Sequence, residues 1–86
     1  MATKLEIYIR KRLSEGADAR TIATDVLNLR IKQLTGLSLD DFPDTSVVAD
    51  TIDNLECSIN DDVNMDDIRF EIINVNLDYV NELVFY

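Results

Sequence analysis

Residues that break helices are few in this chain, and their positions divide it into segments of helical length. Gly16 and Gly36 are the only two glycines among 86 residues, and Pro43 is the only proline. Glycine commonly ends a helix because it adopts a left-handed conformation at little cost, whereas proline cannot continue a helix. We therefore expect helices that end near the two glycines and a connector around Pro43.

The segment before Gly36 has the signals of two consecutive helices. Thr3 followed by Glu6 is typical of a capping box, and apolar residues then recur at four-residue steps, which predicts a helix over residues 3–15. Asp18 is a favourable N-cap for a second helix over residues 19–35. The second helix carries two neighbouring apolar stripes: Ile22, Val26 and Leu29, and Leu27, Ile31 and Leu34.

The residues after Gly36 predict a connector and then an amphipathic helix. Pro43 places residues 37–44 in the connector, with Leu37, Leu39 and Phe42 expected to pack inward. A third helix is expected from Asp44 or Thr45 to about Asn60. Its apolar face would consist of Val48, Ile52, Leu55 and Ile59, and its opposite face of Asp50, Asp53, Cys57 and Asp61.

The last segment, residues 64–86, fits two patterns. Alternation of apolar and polar residues from Ile73 to Tyr79 indicates a strand. A single helix organises more of the segment, with one apolar stripe and a second beside it. The first stripe is Met65, Ile68, Ile72, Val75, Tyr79 and Leu83, and the second is Phe70, Ile73, Leu77, Val80 and Val84. We predict an all-α fold, one compact domain (residues 1–86) of about four helices, with an α+β fold that ends in a β-hairpin as the alternative.

Charge is distributed unevenly along the chain. Residues 1–36, the basic hairpin, carry seven bases and four acids, whereas residues 37–86, the acidic half, carry thirteen acids and one base and sum to −12. Such a surface attracts basic partners and repels nucleic acid and anionic lipid. We therefore expect a basic protein as partner, such as one that binds nucleic acid, and no direct contact with nucleic acid or membrane.

The composition argues against most catalytic and metal sites. The chain has no histidine and one cysteine, Cys57, which excludes internal disulfides, common zinc sites and histidine-dependent triads, and fits a reducing cytoplasm. The segment from Asp62 to Asp66 has the first oxygen ligands of a calcium loop, but Asp67 and Ile73 replace the glycine and glutamate that the loop requires. We expect no enzyme activity, no metal and no cofactor.

The connector and the start of the third helix resemble one family. The segment from Leu39 to Val47 resembles the region around the prosthetic-group serine of acyl carrier proteins, with weaker similarity at Leu55-Glu56, Val63 and Asp66-Asp67. The resemblance implies a carrier modified on Ser46. Thr45 stands where that family has aspartate, and Val47 where it has leucine. We interpret Ser46 as an ordinary residue of the first helical turn and keep the carrier as an alternative.

These features lead to a functional hypothesis based on physical character. We predict an acidic, non-enzymatic protein, an inhibitor or adaptor that mimics nucleic acid, of the kind that phages use against host defence or transcription enzymes. A structural or assembly protein is a further alternative. The expected partner-binding residues are Asp50, Asp53, Asp61, Asp62, Asp66 and Asp67.

Self-association is also expected. Two apolar stripes in the last segment exceed what one intramolecular face can cover, and an apolar terminus follows them. The sequence predicts a homodimer or higher oligomer in which the basic hairpin of one subunit lies against the acidic half of another. The expected interface residues are Leu83, Val84, Phe85 and Tyr86.

Overall fold

A computed structural model describes residues 3–85, and every regular element in that range is helical. The α-helices are α1 (Lys4–Ser14), α2 (Ala19–Thr35), α3 (Ser46–Asn60), α4 (Met65–Asn74) and α5 (Leu77–Phe85), with one 3-10 turn at Leu39–Asp41. The all-α prediction is confirmed. The alternative that ended in a β-hairpin is wrong, since residues 64–85 hold no strand.

The predicted ends of α1 and α2 are confirmed by their caps. The Thr3 hydroxyl accepts the Glu6 backbone N–H at 3.2 Å, and the Asp18 carboxylate accepts that of Thr21 at 2.7 Å. Gly36 has a left-handed φ of 75° and donates its N–H to the Lys32 carbonyl at 2.8 Å. Each helix therefore begins and ends where its own sequence satisfies the free backbone groups.

The centre of the core lies between α2 and α3. The predicted apolar face of α3 is confirmed, because Leu55 is 1% exposed and its three partners on that face are also buried. Burying a side chain of this size contributes about 1.5–3 kcal/mol. The facing residues of α2 are Ile22, Ala23, Val26, Leu27 and Ile31.

The connector folds back onto α2 through a capping motif that the sequence analysis missed. Asn28 of α2 accepts the Leu39 N–H at 2.7 Å, and the Asp41 carboxylate accepts the Ser38 N–H at 2.9 Å. Leu39 and Phe42 pack against the core as predicted. Leu37, also predicted to pack inward, is 49% exposed.

The last segment forms two helices, so the prediction of one continuous helix is wrong. The Arg30 side chain donates from Nε to the Val75 carbonyl at 2.9 Å, which satisfies a backbone acceptor at the end of α4. The Asn76 side chain then accepts the Tyr79 N–H at 3.1 Å. Asparagine is among the best N-cap residues, so the chain stops and restarts at this point.

Helix α5 contributes Leu83 to the core and is joined to α3 by one hydrogen-bonded pair of side chains. Leu83 is fully buried in the core, and the Tyr79 hydroxyl lies 2.9 Å from the Thr51 hydroxyl oxygen. Burial raises the pKa of Tyr79, and the hydrogen bond with Thr51 opposes that effect. The neutral phenol is therefore the folded form, and its contribution to stability is lost only as pH rises through the raised pKa.

Truncation of Leu55 tests this packing. We expect Leu55→Ala to lower the free energy of unfolding by about 2–5 kcal/mol, because it leaves a cavity between α2 and α3. Cys57→Ser is the control on the same helix, since Cys57 is exposed. Thermal and urea unfolding followed by circular dichroism would measure both variants, and equal effects would contradict the packing described here.

Candidate partner-binding surface

A row of carboxylates follows the outer face of α3. Asp50, Asp53 and Asp61 are all exposed on the side opposite the buried face, as the sequence predicted. Asp50 and Asp61 are separated by eleven residues, which corresponds to about 16 Å along a helix. The carboxylates of Asp50 and Asp53 on α3 and of Asp61 at its end therefore lie on the solvent side.

The turn between α3 and α4 extends this row. Asp62 and Val63 have left-handed φ angles of 52° and 53°, an uncommon conformation for a β-branched residue such as valine. Val63 is only 6% exposed, whereas Asp62 is exposed. The strained turn thus buries the valine and leaves the Asp62 carboxylate in solvent.

A single amide joins two carboxylates at the start of α4. The Asn64 side-chain nitrogen donates to Asp61 at 3.1 Å and to Asp67 at 3.0 Å, while its oxygen accepts the Asp67 N–H at 3.3 Å. The acidic turn is therefore organised by a neutral cap. Within residues 3–85, no group of three or more acidic or cysteine side chains is placed to hold a metal ion.

Two of the six predicted partner-binding carboxylates are engaged by bases of the same chain. Arg20 donates to Asp53 at 2.7 Å and lies 3.9 Å from Glu56, so the structure does not leave Asp53 free. The pair raises the pKa of Arg20, chiefly through the hydrogen bond from its guanidinium to Asp53. Asp66 lies 3.7 Å from Arg69. Both pairs are exposed, and such pairs hold their partners weakly.

The other four carboxylates are not neutralised in the described part of the chain. No ion pair within residues 3–85 includes Asp50, Asp61, Asp62 or Asp67. The remaining described ion pairs join residues of the hairpin to each other, as Arg10 does with Glu6 at 2.9 Å and Arg12 with Asp25 at 3.0 Å. The acidic half therefore keeps most of its net charge.

The residues expected at an oligomer interface are placed differently from the prediction. Leu83 is 0% exposed within its own chain, so its side chain is part of the core and does not face a second subunit. Val84 is 55% exposed. Tyr86 and the side chain of Phe85 lie outside the described residues.

The second predicted stripe of the last segment is where apolar surface remains uncovered. Phe70, Ile73 and Leu77 are 63%, 67% and 61% exposed, and with Val84 they form what we call the outer stripe. Val80, assigned to the same stripe, is buried instead. The first stripe of the segment, which includes Leu83, packs against the core.

Ser46, the candidate attachment residue, is the first residue of α3 and is exposed. The cap of α3 is Thr45, whose hydroxyl accepts the Val48 N–H at 3.2 Å. Ser46 therefore stands at the N-terminus of a helix without serving as its cap.

A cleft that the sequence analysis did not anticipate lies between α2, the 3-10 turn and α3. Its volume is about 400 Å³, and it is lined by Thr24, Leu39, Asp40, Phe42, Pro43, Asp44, Val48 and Ile52. The sequence shows Asp40 and Asp44 on either side of Phe42-Pro43. Their position beside α2 could not be predicted from it, because that position depends on the packing of the connector.

Comparison of the chain with protein-family models, with curated protein sequences and with solved structures gives no match. In residues 3–85, no helix has the length and apolar character that crossing a membrane requires.

Proposed function

We propose that this protein is a non-enzymatic inhibitor or adaptor whose acidic surface occupies the nucleic-acid-binding groove of a basic partner protein. One observation carries the proposal: the carboxylate row of α3 and the turn after it, in which Asp50, Asp61 and Asp62 are exposed and belong to no described ion pair. A rigid helix holds this row, so little conformational entropy is lost when a partner binds.

The physical logic is that of phosphate replacement. Duplex DNA carries one negative charge per 1.7 Å of axis, roughly, and proteins read that charge with lysine and arginine. The carboxylates of the acidic row, which extend over about 16 Å of helix, present the same sign of charge as a short stretch of DNA backbone. Complementary charge steers association and makes it depend on salt.

The proposed setting is a reducing cytoplasm, where a protein with one exposed cysteine forms no disulfide-linked dimer. Small acidic proteins with few cysteines are also the kind that phages use against host enzymes.

Modification of Ser46, as in a carrier protein, is the competing interpretation. A mass increase of the intact chain after co-expression with a phosphopantetheinyl transferase would favour the carrier.

Charge reversal on the acidic row tests the proposal. The wild-type protein would first be used to capture its partner, and the affinity of the purified pair would then be measured by calorimetry at several salt concentrations. Asp50→Lys combined with Asp62→Asn should weaken binding at least tenfold, since it removes two unpaired carboxylates and adds a positive charge. The salt dependence of the remaining affinity should also decrease.

A matched control changes the net charge by the same amount at other exposed sites. Glu15→Lys combined with Glu82→Gln changes residues at the end of α1 and on α5 and should leave the affinity close to that of the wild type. Circular dichroism would establish that all variants are folded. If the two double variants lost the same affinity, the effect would come from net charge alone, and a localised acidic site would be refuted.

We also propose that the protein self-associates, through the outer stripe and not through the terminal residues. Phe70 and Ile73 on α4 and Leu77 at the start of α5 are each more than half exposed, and contiguous exposed apolar surface usually marks an association site. The exposed bases of the hairpin, such as Lys4 and Lys11, provide charge that can face the acidic half of a second copy.

Light scattering at micromolar concentration measures this property. The wild-type chain should have a mass of at least twice 9.8 kDa, and Phe70→Gln combined with Ile73→Gln should return it to one chain. Ile7→Gln combined with Leu37→Gln is the control, because these exposed side chains belong to α1 and to the connector. A monomeric wild type would exclude the oligomer, and dissociation by the control pair alone would exclude the outer stripe.

A further inference from the structure

The cleft beside the 3-10 turn is lined by both apolar and acidic side chains, and we call its two acidic residues, Asp40 and Asp44, the rim. Leu39 and Phe42 from the connector face Val48 and Ile52 from α3, and these four side chains supply the apolar walls. Asp40 and Asp44 supply the two carboxylates, and no basic residue lines the cleft. At about 400 Å³, the volume lies within the ordinary range of sites that bind small groups.

The hydrogen-bonding groups at this cleft are acceptors. The Thr24 hydroxyl donates its proton to the Arg20 carbonyl at 2.9 Å, so its oxygen is left to accept. Asp40 and Asp44 accept through their carboxylates, and no described ion pair includes either of them. A ligand that fits these groups must therefore bring donors.

The backbone donors of the lining turn are already used inside the protein. Leu39 donates its N–H to Asn28 at 2.7 Å, and Asp40 donates to the Ser38 hydroxyl at 3.3 Å. Phe42 donates to the Leu39 carbonyl at 3.1 Å, and Pro43 has no N–H. The backbone N–H groups of Leu39, Asp40 and Phe42 are therefore not available to an anion, and their internal bonds hold the cleft in place.

The ligand chemistry follows from these features. Arginine has five N–H donors, no acceptor and a permanent positive charge, and its planar head stacks on aromatic rings while its aliphatic stem packs on apolar walls. We propose that the cleft receives an arginine side chain of the basic partner, with the guanidinium between Asp40 and Asp44 and the stem against Phe42 and Val48. This inference rests on the proposed function and adds a specific anchor to it.

Nuclear magnetic resonance titration with a small probe tests the cleft without the partner. Nα-acetyl-arginine amide added to the isotope-labelled full chain should give saturable shifts at Leu39, Phe42, Val48 and Ile52. Nα-acetyl-citrulline amide, which has the same shape without the charge, should bind more weakly by roughly tenfold. Equal binding of the two probes would overturn the assignment to a guanidinium. So would equal binding of Nα-acetyl-lysine amide, whose side chain keeps a charged ammonium group.

Substitutions at the rim locate the effect. Asp40→Asn combined with Asp44→Asn should weaken binding of the arginine probe roughly tenfold, since each lost charge removes a charge-assisted hydrogen bond. Glu15→Gln combined with Asp78→Asn removes the same charge from exposed sites at the end of α1 and on α5 and should leave probe binding unchanged. Equal losses in the two variants, or shifts spread over the whole acidic half, would overturn the site.

The partner itself separates this inference from the proposed function. If Asp50→Lys with Asp62→Asn abolishes partner binding and Asp40→Asn with Asp44→Asn does not affect it, the acidic surface stands and the arginine anchor is refuted. If neither variant affects partner binding, both proposals are wrong. If both variants lose partner binding and only the rim variant (Asp40→Asn with Asp44→Asn) loses probe binding, both proposals are supported.

Discussion

The packing of α2 against α3 is the interaction on which the remaining structure depends. Arg20 lies beside Asp53, whereas Asn28, two turns later in α2, contacts the connector that precedes α3, so the two helices run in opposite directions. This arrangement directs Ile52 and Leu55 inward and leaves the acidic row of α3 in solvent. It also forms the cleft, since Thr24 of α2 and Ile52 of α3 both line it. Core, acidic surface and cleft therefore follow from one helix pair.

Electrostatic repulsion within the acidic half opposes this arrangement. The acidic half sums to −12, and within the described residues its only ion pairs with the hairpin are those of Arg20 with Asp53 and Glu56. A neutral side chain organises the acidic turn, because the Asn64 amide donates to both Asp61 and Asp67. Carboxylates held together in this way, without bases between them, maintain a strong local potential. A basic partner would relieve that repulsion on binding, which makes net charge a source of affinity.

Local signals in the sequence were sufficient for most of the helices. Glycine at position 36 and the four-residue spacing in α3 act within one or two turns, so the ends of α2 and the buried face of α3 could be predicted. The break at Val75 and Asn76 could not, because the Arg30 side chain that satisfies the end of α4 comes from a distant helix. For the same reason the burial of Leu83 and the pairing of Asp53 were missed, since both depend on which helix lies opposite. The acidic row was predictable from helical periodicity alone, whereas the cleft required the connector to fold back on α2.

Carboxyl footprinting of the complex would test the central claim most directly. Exposed carboxylates are coupled to glycine ethyl ester with a carbodiimide, and mass spectrometry then compares the labelling of each residue with and without the captured partner. The account predicts protection of Asp50, Asp61 and Asp62 in the complex, while Glu15 on the hairpin is labelled equally in both states. Protection of Glu15 without protection of the acidic row would contradict it, because the partner would then be bound through the other end of the molecule.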